Sequence, residues 1–118
     1  CGLPVIQEHS QILKFARWTP QSKMVVDVFG VLIPEDQTEI IIPDIVLTPL
    51  LAFDRRGYRL GQGGGYYDAT LADLRAQKNI LAVGIAYASQ AVLFNLPIEE
   101  HDQKLDWVIT PNEAQRFL

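Results

Sequence analysis

The stretch DIVLT, Asp44 to Thr48, decides how the fold is read. A short, nearly unbroken apolar run of this kind is typical of a central strand buried on both faces, and it points to a layered α/β sheet. Downstream, Ile80 to Ala86 is a second such run, interrupted only by Gly84. Between the two, Tyr67, Leu71 and Leu74 fall at helical spacing, with Asp68, Asp73 and Arg75 left for other faces. That spacing predicts a helix from about Gly65 to Gln77, stopping near Asn79. Strands alternating with helices make the expected fold class α/β: a three-layer sandwich with a mostly parallel sheet flanked by helices.

Working outward, Leu3 to Ile6 and Leu13 to Trp18 read as short strands, the second alternating Leu13 and Phe15 with Lys14 and Arg17. Met24 to Phe29 is a further apolar stretch, and Ile33 to Glu39 (IPEDQTE) reads as a surface loop. Asp54-Arg-Arg-Gly57 has the residues of a tight turn, with Gly57 suited to positive φ. Ser89 to Leu93 is expected to form a short helix and Trp107 to Ile109 a last strand, with Pro111-Asn-Glu starting a terminal helix.

The 118 residues amount to one domain, long enough to bury a core without a staple. The chain opens on CGLPVIQ rather than Met, so the expectation is a single domain over residues 1–118 that lacks its N-terminal part. No apolar run approaches the ~20 residues of a bilayer span, and a lone cysteine, Cys1, makes no internal disulfide. The net charge of -4 argues against broad contact with nucleic acid. Within that acidic chain Arg55, Arg56 and Arg59 form a local basic cluster, a place for an anion to dock.

Just beyond the cluster lies RLGQGGGYYD, Arg59 to Asp68. Glycines allow close backbone approach to a ligand, and the N–H groups and dipole of the following helix favour phosphate. The run lacks the Lys-Ser/Thr ending of a P-loop, and Tyr66 stands where a dinucleotide loop has its last glycine. A carboxylate in the first helical turn, Asp68, suits the dipole but repels a phosphate bound there. Either a hard cation such as Mg²⁺ joins the two, or Asp68 simply stabilises the helix start.

Pro49 to Leu71, PLLAFDRRGYRLGQGGGYYDATL, resembles the signature of the 5-formyltetrahydrofolate cyclo-ligases. LPVIQ, LKFARW, FGVLIPE, PDIVLTP, AVGIAYASQ and LPIEEHDQKLDWVIT follow that family's order over essentially the whole chain. The resemblance implies a cytoplasmic, monomeric enzyme that takes a small-molecule substrate, 5-formyltetrahydrofolate. With ATP and Mg²⁺ it would form 5,10-methenyltetrahydrofolate, ADP and phosphate, without contact to nucleic acid or membrane. Carried over by position, Arg59, Leu60, Gly61, Gln62, Gly63, Gly64, Gly65, Tyr66 and Tyr67 would hold the ATP phosphates. Gln62 to Tyr66 would also face the folate, with Arg59 and Tyr66 in the reaction itself. Asp68 and Asp102 would be the metal ligands, and Trp18 and Phe53 would either line the folate pocket or pack in the core. His9 and His101 form no acid–base pair and read as surface or structural residues.

Two departures stand out. Some members carry basic residues where this chain has Gln62 and Gly64, and the family's N-terminal segment, which brings basic groups to ATP and a glutamate to folate, has no counterpart here. A folate- and nucleotide-binding module without turnover is therefore the alternative. A sugar-phosphate enzyme of related layered fold ranks third, because it leaves YYD and EEHDQKLD unexplained.

Overall fold

The structure, a computed structural model, describes residues 1–117 and divides into two compact units, Cys1–Pro43 and a second that begins at Asp44. In the first, β1 (Gly2–Val5) pairs antiparallel with β2 (Lys14–Arg17), so that Leu3 faces Ala16. Next come β3 (Met24–Val26) and β4 (Leu32–Pro34), which form a hairpin. β5 (Ile40–Ile41) then adds to the other edge of β2, giving the order β1-β2-β5. Val5, Ala16 and Ile33 are the buried nucleus of this unit, with Val25 packed against them. Of the apolar stretch Met24 to Phe29, only Met24–Val26 is strand. Asp27 Oδ1 accepts the N–H groups of Phe29 and Val31, and Gly30 takes φ 80°, so this polar residue and glycine turn the chain.

The second unit holds β6 (Ile45–Thr48), β7 (Ala52–Phe53), β8 (Arg59–Leu60), α1 (Tyr66–Gln77), β9 (Leu81–Ile85), a 3₁₀ turn at Ala88–Gln90, β10 (Trp107–Ile109) and β11 (Ala114–Arg116). Its sheet runs β11-β10-β9-β6. β6, β9 and β10 are mutually parallel, with Leu47 beside Val83 and Val83 beside Trp107. The fold is thus mixed α/β with a mostly parallel sheet and, among the described residues, one α-helix. β7 and β8 form a hairpin closed by the Asp54–Gly57 turn, where Gly57 N–H donates to Asp54 O and φ is 92°. The helix buries Leu71 and Leu74, as its spacing predicts, together with Thr70, while Tyr67 is only partly buried.

Three local expectations are corrected. DIVLT is an edge strand, not a central one: β6 pairs with β9 alone and alternates exposed and buried side chains. Apolar identity marks a strand but says nothing of its place in the sheet. Pro111-Asn-Glu opens a turn rather than a helix. Glu113 O accepts the Thr110 N–H, Thr110 Oγ1 accepts the Asn112 N–H, and β11 returns antiparallel on β10. Ser89 to Leu93 yields only a 3₁₀ turn, because Val92 N–H is drawn to Phe53 O in a bridge between Ala91 and Phe53. No helix among the described residues is long and apolar enough to cross a membrane.

Candidate functional site

The hairpin β7–β8 delivers Arg59 to the mouth of the glycine loop. The turn that shapes this hairpin is held by Asp54, whose side chain is fully buried. Its Oδ1 accepts the N–H groups of Arg56 and Tyr58; its Oδ2 accepts Leu96 N–H and the Arg56 guanidinium. Burial pushes the Asp54 carboxyl up, but the Arg56 guanidinium and the three backbone donors outweigh it and hold it below the usual carboxylate value. Arg56 also donates to Leu96 O, and Arg55 to Leu93 O. The basic cluster expected from sequence is therefore dispersed: Arg55 and Arg56 brace the segment from Leu93 to Leu96, and Arg59 alone turns toward the loop.

The Arg59 side chain is 6% exposed. One Nη1 bond runs to Pro49 O at 3.1 Å, Nη2 lies 3.7 Å from Asp68 Oδ1, and the guanidinium sits 5.7 Å from the centroid of the Tyr67 ring. Its Nε–H is buried and has no acceptor among the described residues. An unmet buried donor costs about 1–3 kcal/mol, so this atom is an opening for an acceptor oxygen. Gly61 is bare where the guanidinium passes: a Cβ there would stand 2.6 Å from Arg59 Nη1. Burial pushes the Tyr67 hydroxyl above its ordinary value, with the positive charge of Arg59 opposing.

Gly65 caps α1 with φ 72°, a left-handed conformation that side chains resist, and offers no side chain to the helix end. The first helical bond runs from Ala69 N–H to Gly65 O, so the N–H groups of Tyr66, Tyr67 and Asp68 precede the ladder and point out of the helix start. Gln62 leads into the bend at Gly63 and Gly64 before it, and the Tyr66 ring folds back against Gly64. Leu60, half exposed, ends β8 and leads into this bend.

Asp68, in the first turn of α1, accepts Gln103 N–H on Oδ1 at 3.0 Å. Arg75 holds the same approaching segment through Gln103 Oε1, Lys104 O and Asp106 Oδ2. Asp102 is thereby carried to the residue next to the one that touches Asp68. Its own Oδ2 accepts Glu99 N–H at 2.9 Å and its N–H donates to Glu99 O, closing a turn. Neither the Gln103 nor the Arg59 contact uses Asp68 Oδ2. The donor set fits a small hard cation that keeps waters and is shared with phosphate oxygens. Among the described residues no group of three or more His, Cys, Asp or Glu gathers around a common point.

Sequence reasoning singled out Arg59, Asp68 and Asp102, read Asp54 only as a turn residue, and missed the contacts of Arg75 and Gln103. The signal for Asp54 was the carboxylate opening a tight turn; Gln103 contributes a backbone N–H, which no residue type announces. Phe53 is buried, edge-on to Phe117 with centroids 6.3 Å apart, so it packs in the core. Trp18, in the other unit, is partly exposed and its backbone N–H donates to Cys1 O. His9 and His101 are exposed beside Glu8 and Glu99. A groove of about 480 Å³ in the first unit is edged by the ion pairs Arg17–Glu39 and Lys23–Glu35.

The model of the 5-formyltetrahydrofolate cyclo-ligase family matches residues 1–111. The chain is 41% identical over 108 residues to a 5-formyltetrahydrofolate cyclo-ligase of Haemophilus influenzae, covering 87% of this chain and 57% of the relative. It is 39% identical over 117 residues to that of Escherichia coli, covering 95% and 63%. A solution NMR structure of the Aquifex aeolicus 5,10-methenyltetrahydrofolate synthetase superposes with a TM-score of 0.73 at 32% identity, over 98% of this chain and 57% of that one. The chain thus spans about three fifths of the length of these relatives. On the extent of the match and on these identities, the chain belongs to the 5-formyltetrahydrofolate cyclo-ligase family.

Proposed function

We propose that this chain carries the phosphate and metal site of an ATP- and Mg²⁺-dependent cyclo-ligase, which closes 5-formyltetrahydrofolate to 5,10-methenyltetrahydrofolate and releases ADP and phosphate. The observation that carries the reading is Arg59, a buried guanidinium with a free Nε–H, set between the glycine loop and the N-terminus of α1. When bound, ATP supplies the phosphoryl group that turns the formyl oxygen into a leaving group, and Mg²⁺ neutralises the phosphate charge.

The residues do the rest. Arg59 and the N–H groups of Gly61 to Tyr67 hold phosphate oxygens, and the helix dipole adds to that attraction. Asp68, through Oδ2, and Asp102 hold the metal. Tyr66 orients the folate with its ring and hydroxyl, so that N10 meets the formyl carbon at reacting distance. Gln62 and Gly64 leave phosphate contact to backbone donors and Arg59. The same reading makes the protein a monomer of the cytoplasm, with helices on both faces of its sheet as the third layer.

The test follows methenyl-folate absorbance in the near ultraviolet with ATP, Mg²⁺ and 5-formyltetrahydrofolate. Absorbance that grows with ATP and stops on chelation of Mg²⁺ supports the reading. A folate- and nucleotide-binding module is the second reading, favoured by the span of about three fifths of the relatives. Calorimetric binding of ATP·Mg²⁺ with no product selects it and sinks the first.

A further inference from the structure

Asp68 and Arg75 stand about two helical turns apart on α1 and so share one face of it. Both grip the same residue of the segment that crosses that face. Asp68 Oδ1 accepts the Gln103 backbone N–H at 3.0 Å, and Arg75 Nη1 donates to Gln103 Oε1 at 3.1 Å. The other amino group of Arg75, Nη2, donates to Lys104 O at 2.8 Å and to Asp106 Oδ2 at 3.0 Å. Asp106 is itself fixed to the parallel sheet: its Oδ2 accepts the Ala82 N–H, and its own N–H donates to Ala82 O. The guanidinium is thus anchored to β9 through Asp106 and reaches Gln103 from there. Acceptors on three residues need the planar fork of an arginine, which the single ammonium of a lysine does not reproduce.

We propose that Arg75 is a positioning residue for the metal site, acting through Gln103 on both Asp68 and Asp102. The inference rests on the reading of those two carboxylates as the metal ligands. The N–H that Asp68 accepts belongs to the peptide bond joining Asp102 to Gln103, and that bond is planar. Holding Gln103 by its side chain therefore fixes the hydrogen bond to Asp68 and the backbone that carries Asp102. The Gln103 N–H is a neutral donor, so it occupies Oδ1 and leaves Asp68 its charge for a cation. The Arg59 guanidinium, 3.7 Å from the same Oδ1, is too distant for a hydrogen bond and does not displace it. Groups that orient a metal ligand from behind are worth about 10–100-fold in metal affinity.

The test measures ATP affinity by calorimetry with and without Mg²⁺ and takes the ratio of the two. In the parent the metal should raise the affinity. Arg75→Gln and Gln103→Ala should each cut the ratio about tenfold, while ATP affinity without metal stays as it was. The double variant should lose no more than the larger single loss, because both changes break one chain of bonds. Lys78→Gln, which removes the ion pair with Asp44 at the C-terminal end of α1, should leave the ratio unchanged. Should Arg75→Gln fail to fold, Gln103→Ala carries the test, since it keeps the backbone N–H and the other bonds of Arg75. An unchanged ratio in Gln103→Ala, additive losses in the double variant, or an equal fall in both affinities overturns the proposal and leaves the metal reading standing. A falling ratio in Lys78→Gln does the same, since any loosening of the helix would then suffice. A parent ratio of one sinks the metal reading itself, and this proposal with it.

Discussion

At the scale of single residues, two glycines of the loop separate backbone strain from ligand contact. Gly63 has φ 96°, and an added methyl there would find nothing within 4 Å, so Gly63→Ala meets only the cost of the left-handed conformation. We expect about 1–2 kcal/mol of lost stability, read by urea unfolding. Gly61 has no positive φ, but its added Cβ would displace the Arg59 guanidinium. Gly61→Ala should therefore leave the urea midpoint nearly unchanged and weaken ATP·Mg²⁺ binding, measured by calorimetry. Arg59→Ala should weaken the same binding by about ten- to a hundredfold, the loss of one or two charged hydrogen bonds. Equal affinity in Arg59→Ala would remove the phosphate role from this side chain.

At the scale of elements, the Asp54 turn and the start of α1 are the two supports. Asp54→Asn keeps the shape but points amide hydrogens at the Arg56 guanidinium and removes the buried charge. A loss of about 3 kcal/mol or more is expected at neutral pH, because breaking one partner of a buried pair leaves the other uncompensated. The pH dependence has a definite sign. The folded carboxyl lies below its ordinary value of 3.8, so its stabilisation is complete above that value and fades as pH falls through the lower folded value. Acid unfolding below about pH 4 should be shallower in Asp54→Asn than in the parent. For the helix start, Asp68→Asn retains an acceptor for Gln103 N–H while removing charge. It should keep the fold and lose the Mg²⁺ dependence of nucleotide binding, seen as equal affinity with and without the metal.

At the scale of the whole molecule, ligand binding to the folded state alone should raise the melting temperature. At a hundred times the dissociation constant of ATP·Mg²⁺ the gain is about 2.7 kcal/mol, and it should vanish in Arg59→Ala. The arrangement behind that linkage is only partly local. The helix Tyr66–Gln77 and the turn Asp54–Gly57, with its left-handed glycine, were legible because each depends on neighbours in sequence. The edge position of β6 and the hairpin of β11 on β10 were not, because pairing and burial depend on strands far along the chain. The basic cluster also misled: Arg55 and Arg56 are taken by carbonyls of Leu93 and Leu96, some 40 residues away.

By itself, then, the sequence determined the glycine-rich loop RLGQGGGYYD, the helix that follows it and the family the chain resembles, because spacing and residue type carry that information. The tertiary structure alone decided that Arg59 is the arginine facing the loop and that Gln103, held by Arg75, brings the Asp102 turn to Asp68. Each of these rests on where distant segments meet, and a buried charge acquires its meaning only from what lies against it.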